Sequence, residues 1–170
     1  MIAGEELEAR ARRIIEMAID RGATIATAES CTGGLMAAAL TAIPGSSAAF
    51  DRGFVTYSNA AKSEMLGVDA GLISEFGAVS EPVAHAMVEG ALACSRATLG
   101  VSVTGVAGPG GGSLEKPVGL VHLAAACGPR ILHREMRYGD VGRAAIRRLS
   151  VATAFDLIEA LLEDLPQDAP

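Results

Sequence analysis

The stretch from Leu99 to Thr104 is a continuous, mainly apolar run that stops at a loop carrying five glycines, Gly105, Gly108, Gly110, Gly111 and Gly112. Such a run reads as a buried strand, and strands alternating with helices along the chain argue for helices on both faces of the sheet that holds it. The rest of the chain supplies them. Residues 5–22 carry an apolar stripe of helical period, through Leu7, Ala11, Ile14, Ile15, Ala18 and Ile19, and predict a first helix. Residues 23–28 predict a strand, and Leu35 to Ala42 a helix stopped by Pro44-Gly45. Residues 53–58 predict a second strand, and Asn59 to Leu66 a short helix capped by Asn59 or Ser58. Ser80-Glu81-Pro82 opens a helix to about Thr98, with Ser80 suited to the cap. Gly119 to Ala126 and Ile131 to Tyr138 predict a hairpin turned at Gly128-Pro129. Arg143 to Leu165 predicts a long final helix, followed by a frayed tail over Pro166 to Pro170. The order predicts one three-layer α/β/α domain with a mixed sheet over residues 1–170.

Composition narrows the function. Half of the chain is apolar and 20% is charged, which excludes a disordered segment. Mean hydropathy is +0.35, yet thirty-two alanines carry much of it and no apolar run reaches the roughly 20 residues a spanning helix needs. The opening MIAGEELEARAR has no apolar leader, so a soluble, cytosolic protein is expected. A net charge of −6, no Trp and 4% aromatics argue against a nucleic-acid partner. Cys31, Cys94 and Cys127 have neither a disulfide framework nor ligand spacing, and His85, His122 and His133 stand apart in the chain. No metal and no cofactor is therefore expected. The apolar excess makes a homo-oligomer, a dimer or higher, plausible.

Four segments carry chemistry. In Glu29-Ser30-Cys31-Thr32-Gly33-Gly34 a strand runs into a helix through Ser, Thr and two glycines, a place for free backbone N–H groups and for Ser30 or Cys31 as nucleophile; the alternative is a helix cap with a buried thiol. Pro44-Gly45-Ser46-Ser47 precedes Thr56-Tyr57-Ser58-Asn59, with Lys62 close behind; a desolvated lysine can serve a serine as base, whereas a surface lysine cannot. The glycine loop after Thr104 is a backbone-lined cradle suited to phosphate or carbonyl oxygens, at a strand end where open α/β sheets bind ligands. It matches neither GxxxxGK[ST] nor GxGxxG. Arg143 and Arg147, one helical turn apart, suit a phosphate or simply form a solvated face.

Together, Ala28-Glu29-Ser30-Cys31-Thr32-Gly33-Gly34, Gly53-Phe54-Val55-Thr56-Tyr57-Ser58-Asn59 with Lys62, Gly77-Ala78-Val79-Ser80, and Gly105 to Gly112 with Lys116-Pro117-Val118-Gly119 resemble the CinA C-terminal domain family, from about Leu7 to Leu162. The resemblance implies hydrolysis of the carboxamide of nicotinamide mononucleotide to nicotinate mononucleotide and ammonia, without a metal, by a serine and a lysine. Carried over by motif, the catalytic positions are Ser30, Ser47, Tyr57 and Lys62. Thr32, Gly33, Gly34, Asn59, Thr104, Gly108, Gly110, Gly111, Arg143 and Arg147 are then expected at the small-molecule nucleotide substrate. Ser30 is favoured as nucleophile, with N–H groups of the following helix turn holding the oxyanion; Ser47 is the competitor. Tyr57 would position Lys62 or donate to the leaving ammonia. The chain departs from the family at Gly139-Asp140-Val141-Gly142-Arg143, where a Gly-Asp-Arg pattern is stretched by two residues. A non-catalytic nucleotide-binding or regulatory module, and a hydrolase of a different small amide, are the rival readings.

Overall fold

The computed structural model describes residues 4–167, so the expected frayed tail falls mostly outside the described residues. A five-stranded mixed sheet of order β2-β1-β3-β4-β5 forms the middle layer. It comprises β1 (Ile25–Glu29), β2 (Phe50–Val55), β3 (Leu99–Gly105), β4 (Leu120–Cys127) and β5 (Arg130–Arg137). Pairs β1/β2 and β1/β3 are parallel, whereas β3/β4 and β4/β5 are antiparallel. The run expected to be covered on both faces is β3, buried from Leu99 to Thr104, at the centre of the sheet.

Helices α1 (Glu5–Asp20), α2 (Leu35–Thr41) and α6 (Arg143–Glu163) cover one face. Their apolar stripes meet β3 and β4 in a core containing Ile14, Met36, Leu40, Val101, Leu123 and Phe155. The other face carries α3 (Asn59–Leu66), α4 (Ala70–Phe76) and α5 (Glu81–Ala93), with Leu66, Ile73, Val83 and Met87 packed on Ala26 and Ala28. Small residues on that face of β1 let the helices approach closely. Gly90 of α5 shows how tight the contact is, because a Cβ there would collide with the carbonyl of Leu66 at the end of α3. Among the described residues, no helix is long and apolar enough to cross a membrane.

Two elements shift by three residues or more, one α-helix is unexpected and one cap bonds otherwise, each for a local reason. Strand β2 begins at Phe50 and ends at Val55, because an edge strand with mostly exposed side chains shows no apolar alternation. Helix α4 was not expected; its seven residues bury only Ile73, and Asp69 caps it by accepting from the N–H groups of Gly71 and Leu72. Helix α5 stops at Ala93 instead of Thr98, since Arg96 N–H turns to the Asp51 carboxylate (3.1 Å) and Thr98 N–H to Thr24 O (3.0 Å). Ser80 stands at the α5 cap position, but its hydroxyl donates to Gly77 O at 2.8 Å.

Candidate active site

Because β1, β2 and β3 run parallel, their C-terminal ends emerge along one edge. Glu29 is in register with Val55 on one side and Val103 on the other, which sets Ser30, Thr56 and Thr104 side by side. The backbone continues the sheet for one step beyond the strands: Ser30 N–H donates to Val103 O at 2.9 Å and Thr56 N–H to Glu29 O at 2.8 Å. Open α/β sheets bind ligands at this edge.

From Thr56 the chain turns into α3, capped by Ser58, whose hydroxyl accepts from Ala61 N–H. Lys62, one turn into that helix, points back beneath the strand ends and is only 1% exposed. Its Nζ lies 3.1 Å from Ser30 Oγ and donates to Thr56 O at 2.9 Å. Burial lowers the lysine's proton affinity, with the neighbouring Cys31 opposing the shift. The amine therefore gives up its proton more readily than a solvated lysine does. Cys31 is buried, and burial pushes its thiol up to about 12. It stays a neutral thiol at ordinary pH, which leaves Ser30 as the group at this turn that has a base beside it.

Glu29, absent from the expected site residues, fills the start of α2. The expected row of free N–H groups at the start of α2 is not free. The fully buried Glu29 carboxylate accepts from Gly34 N–H (3.1 Å), Met36 N–H (3.0 Å) and Ala37 N–H (2.8 Å). Gly33 N–H goes to Ser30 O and Leu35 N–H to Thr32 O. Among the described residues, no acceptor of another residue takes the N–H groups of Cys31 and Thr32. Gly33 and Gly34 take φ of 57° and 90°, which a side chain would resist, and so close the turn tightly. A carboxylate ending an otherwise uncharged strand, four residues before two glycines, is the available signal.

A cleft of about 260 Å³ opens above Ser30, walled by Tyr57, Val79, Arg143 and the glycine loop at Gly108, Gly110 and Gly111. Arg143, the first residue of α6, spans its mouth, donating from Nη1 to Gly108 O (3.0 Å) and from Nη2 to the Tyr57 hydroxyl (2.8 Å). Thr104 Oγ1 donates to Ala78 O at 2.8 Å and so ties the end of β3 to the segment before α5. Lys116 Nζ donates to Phe76 O, joining the base of the glycine loop to the end of α4. A larger groove of about 520 Å³ lies between the first turns of α1 and α6, but it collects Leu7, Val141, Leu149 and Arg148 and has no hydroxyl, thiol or lysine.

Thr32, Gly33, Gly34 and Thr104, expected at the substrate, support the turn and strand end without lining the cleft, and three further expected residues lie elsewhere. Ser47 sits exposed on a 3-10 turn, Ser46–Ala48, just ahead of β2. Parallel pairing puts that turn beside the start of β1, where Ile25 N–H donates to Ala49 O. Ser30 follows the far end of the same strand, roughly 16 Å away at about 3.3 Å per residue. Within this chain Ser47 is out of reach of Lys62. Asn59 lines a separate hollow with Ser63 and Ile73, between α3 and α4. Arg147 does not join Arg143 at the cleft; its Nη2 donates to Thr32 O at 2.7 Å, behind the turn.

The three histidines, expected apart, come together. His122 of β4 and His133 of β5 face α5, with Nδ1 and Nε2 3.1 Å apart, and His85 meets His133 edge-on. The ring centres of His122 and His133 are 5.3 Å apart, so the two nitrogens lie nearly on the line joining the rings. The two nitrogens face each other and not a common third atom. Among the described residues, no group of three or more His, Cys, Asp or Glu is arranged to hold a metal ion.

The family model described as CinA C-terminal domain matches residues 7–162. The chain is similar to "Nicotinamide-nucleotide amidohydrolase PncC" of Escherichia coli (strain K12), 54% identical over 140 residues, which are 81% of this chain and 84% of that protein. It is 47% identical over 160 residues to "CinA-like protein" of Synechococcus sp. (strain CC9902), covering 94% of this chain but only 38% of that longer relative. Among solved structures, competence/damage inducible protein CihA from Agrobacterium tumefaciens superposes with a TM-score of 0.91 at 57% identity, over 93% of this chain and 96% of that one.

Proposed function

Because this chain belongs to the CinA C-terminal domain family, we propose that it is an amidase that hydrolyses the carboxamide of nicotinamide mononucleotide, using Ser30 as nucleophile and Lys62 as base. One observation carries the chemistry: a lysine buried to 1% exposure holds its amine 3.1 Å from a serine hydroxyl at the floor of a cleft. The similarity to an Escherichia coli nicotinamide-nucleotide amidohydrolase supports the substrate.

The neutral amine of Lys62 keeps its N–H bond to Thr56 O and turns its lone pair to Ser30 Oγ. It takes the hydroxyl proton as Oγ bonds to the carboxamide carbon. The oxyanion forms beside the N–H groups of Cys31 and Thr32, the two that neither Glu29 nor the turn engages. Lys62 returns the proton to the amide nitrogen, the C–N bond breaks, and ammonia leaves an acyl-serine. Water then attacks the ester with Lys62 again as base, the proton passes back to Oγ as the carboxylic acid departs, and the acid's own proton goes to the released ammonia. No further acid or base is required.

A cleft of about 260 Å³ is smaller than the roughly 300–1,000 Å³ of a pocket that encloses a whole ligand. It takes the pyridine carboxamide, and the ribose phosphate lies along the rim. There Arg143 has donors beyond the two already bonded, since a guanidinium carries five, and the glycine loop adds backbone N–H groups. Tyr57, 59% exposed and bonded to Arg143, orients that arginine; no contact with Lys62 supports the other roles expected for it.

Ammonia release from nicotinamide mononucleotide, compared with free nicotinamide and with a simple aryl amide, tests the reading. Turnover of the nucleotide alone, abolished in Ser30→Ala, is the expected result. Equal turnover of the nucleotide and free nicotinamide would make this a hydrolase of small amides. Nucleotide binding without ammonia release would make it a binding module.

A further inference from the structure

The turn that presents Ser30 is gripped from both sides by groups that do not line the cleft. Glu29, fully buried in the last position of β1, closes on three N–H groups of the next helix. Arg147, reaching across from α6, takes the carbonyl of Thr32 at 2.7 Å. A carboxylate in the core costs several kcal/mol unless its oxygens are bonded, so this is an expensive way to begin a seven-residue helix. A Ser, Asp or Asn at the cap position does the same for stability alone. Here that position is Gly34, in the left-handed region and with no side-chain bond of its own. The cap comes instead from five residues upstream, on the far side of Ser30. Strand end and helix start are thereby locked to each other with the nucleophile between them.

We infer that Glu29 and Arg147 are positioning residues for the reaction. Glu29 fixes the N–H groups on the helix side of the turn, and Arg147 fixes the Thr32 carbonyl. Between them they hold Ser30 Oγ on Lys62 and keep the Cys31 and Thr32 N–H groups available to the oxyanion. The inference rests on Ser30 being the nucleophile. It also gives Arg147 a role other than the phosphate contact expected from its spacing with Arg143. Displacement of a reacting group by about 1 Å costs on the order of 100-fold in rate, so a loosened turn reads out in chemistry before it reads out in binding.

The test uses Glu29→Gln, which keeps the shape and loses an acceptor oxygen, together with Arg147→Ala and Arg147→Lys. Two rates are followed: steady-state hydrolysis of nicotinamide mononucleotide, and labelling of Ser30 by a fluorophosphonate, detected by intact mass. In labelling, Oγ bonds to phosphorus, fluoride leaves and Lys62 takes the proton, so the second rate needs no nucleotide. Both Glu29→Gln and Arg147→Ala are expected to lower kcat by about 10- to 100-fold with KM within about twofold. Labelling should slow by the same factor, and millimolar guanidinium should restore part of the Arg147→Ala rate. Should Glu29→Gln prove unfolded, the partly exposed Arg147 and its rescue decide alone. Unchanged kcat and labelling per folded molecule, with only thermal stability lowered, would overturn the inference, as would a rise confined to KM. Wild-type labelling at Ser30 without nucleotide hydrolysis would refute the substrate while the variants still judge the turn. Absence of wild-type labelling would refute Ser30 as nucleophile and the inference with it.

Discussion

A lysine amine enclosed by one hydroxyl and one carbonyl has exchanged its water shell for two polar neighbours, and burial lowers its proton affinity as a result. The base form is the neutral one, so the sign of the pH dependence is fixed. Rate should rise with pH as Lys62 loses its proton, with the midpoint below the ordinary lysine value of about 10.4. A kcat–pH profile checks this, and a midpoint at or above that value would remove Lys62 as base. Lys62→Met is expected to lower kcat by at least about 10³-fold, because base and proton carrier vanish together. Tyr57 acts on a different quantity. Its hydroxyl accepts from Arg143 at the exposed mouth of the cleft, so Tyr57→Phe frees the guanidinium without touching Ser30. KM should rise by about tenfold, the worth of one hydrogen bond to a charged group, with kcat nearly unchanged.

Among the elements, the seating of α3 on α5 governs where Lys62 sits. Replacing glycine by alanine inside an exposed helix stabilises by about 1 kcal/mol. At Gly90 the sign reverses, since the added Cβ meets the Leu66 carbonyl and its Cβ and the end of α3 must move. Gly90→Ala is expected to cost about 1–3 kcal/mol, as overpacking does, lowering the urea midpoint at constant slope and shifting Lys62 from Ser30. This consequence was invisible in the sequence, where Gly90 reads only as a weak position in a helix. The elements carrying strong periodicity or a glycine stop were legible: α1, β3, the β4–β5 hairpin and α6. Helix α4 and the start of β2 were not, because short or edge elements bury too little to leave a pattern. Within the site, the Ser30 turn, Lys62 and the glycine loop stood out as motifs. What the sequence could not convey was occupancy: that Glu29 fills the helix start, and that Arg147 turns behind the nucleophile while Arg143 spans the cleft.

At the scale of the whole molecule, chemistry occupies the C-terminal edge of the parallel strands, while a separate half-buried polar cluster joins the antiparallel hairpin to α5. His122 and His133 share one N–H between facing nitrogens. The outer nitrogen of His122 lies 3.9 Å from Glu135, itself paired with Arg137, and that of His133 lies 3.7 Å from Glu81. His85 stands edge-on to His133, and the charge of Lys116 also acts on His122. Either ring can take a proton on its outer side, but protonating both sets two N–H groups head to head and breaks the contact. Burial lowers both pKa values, partly opposed by the two glutamates. The unfolded chain, near the ordinary value of about 6.5, therefore binds protons at a higher pH than the folded one. Stability contributed by the neutral pair is present above that pH and is lost as pH falls below it. Thermal unfolding followed from pH 7.5 to about 5 should show a steeper fall for the wild type than for a His122→Gln/His133→Gln variant, in which neither ring titrates. Parallel curves would mean that the facing imidazoles contribute nothing to the acid sensitivity of the fold.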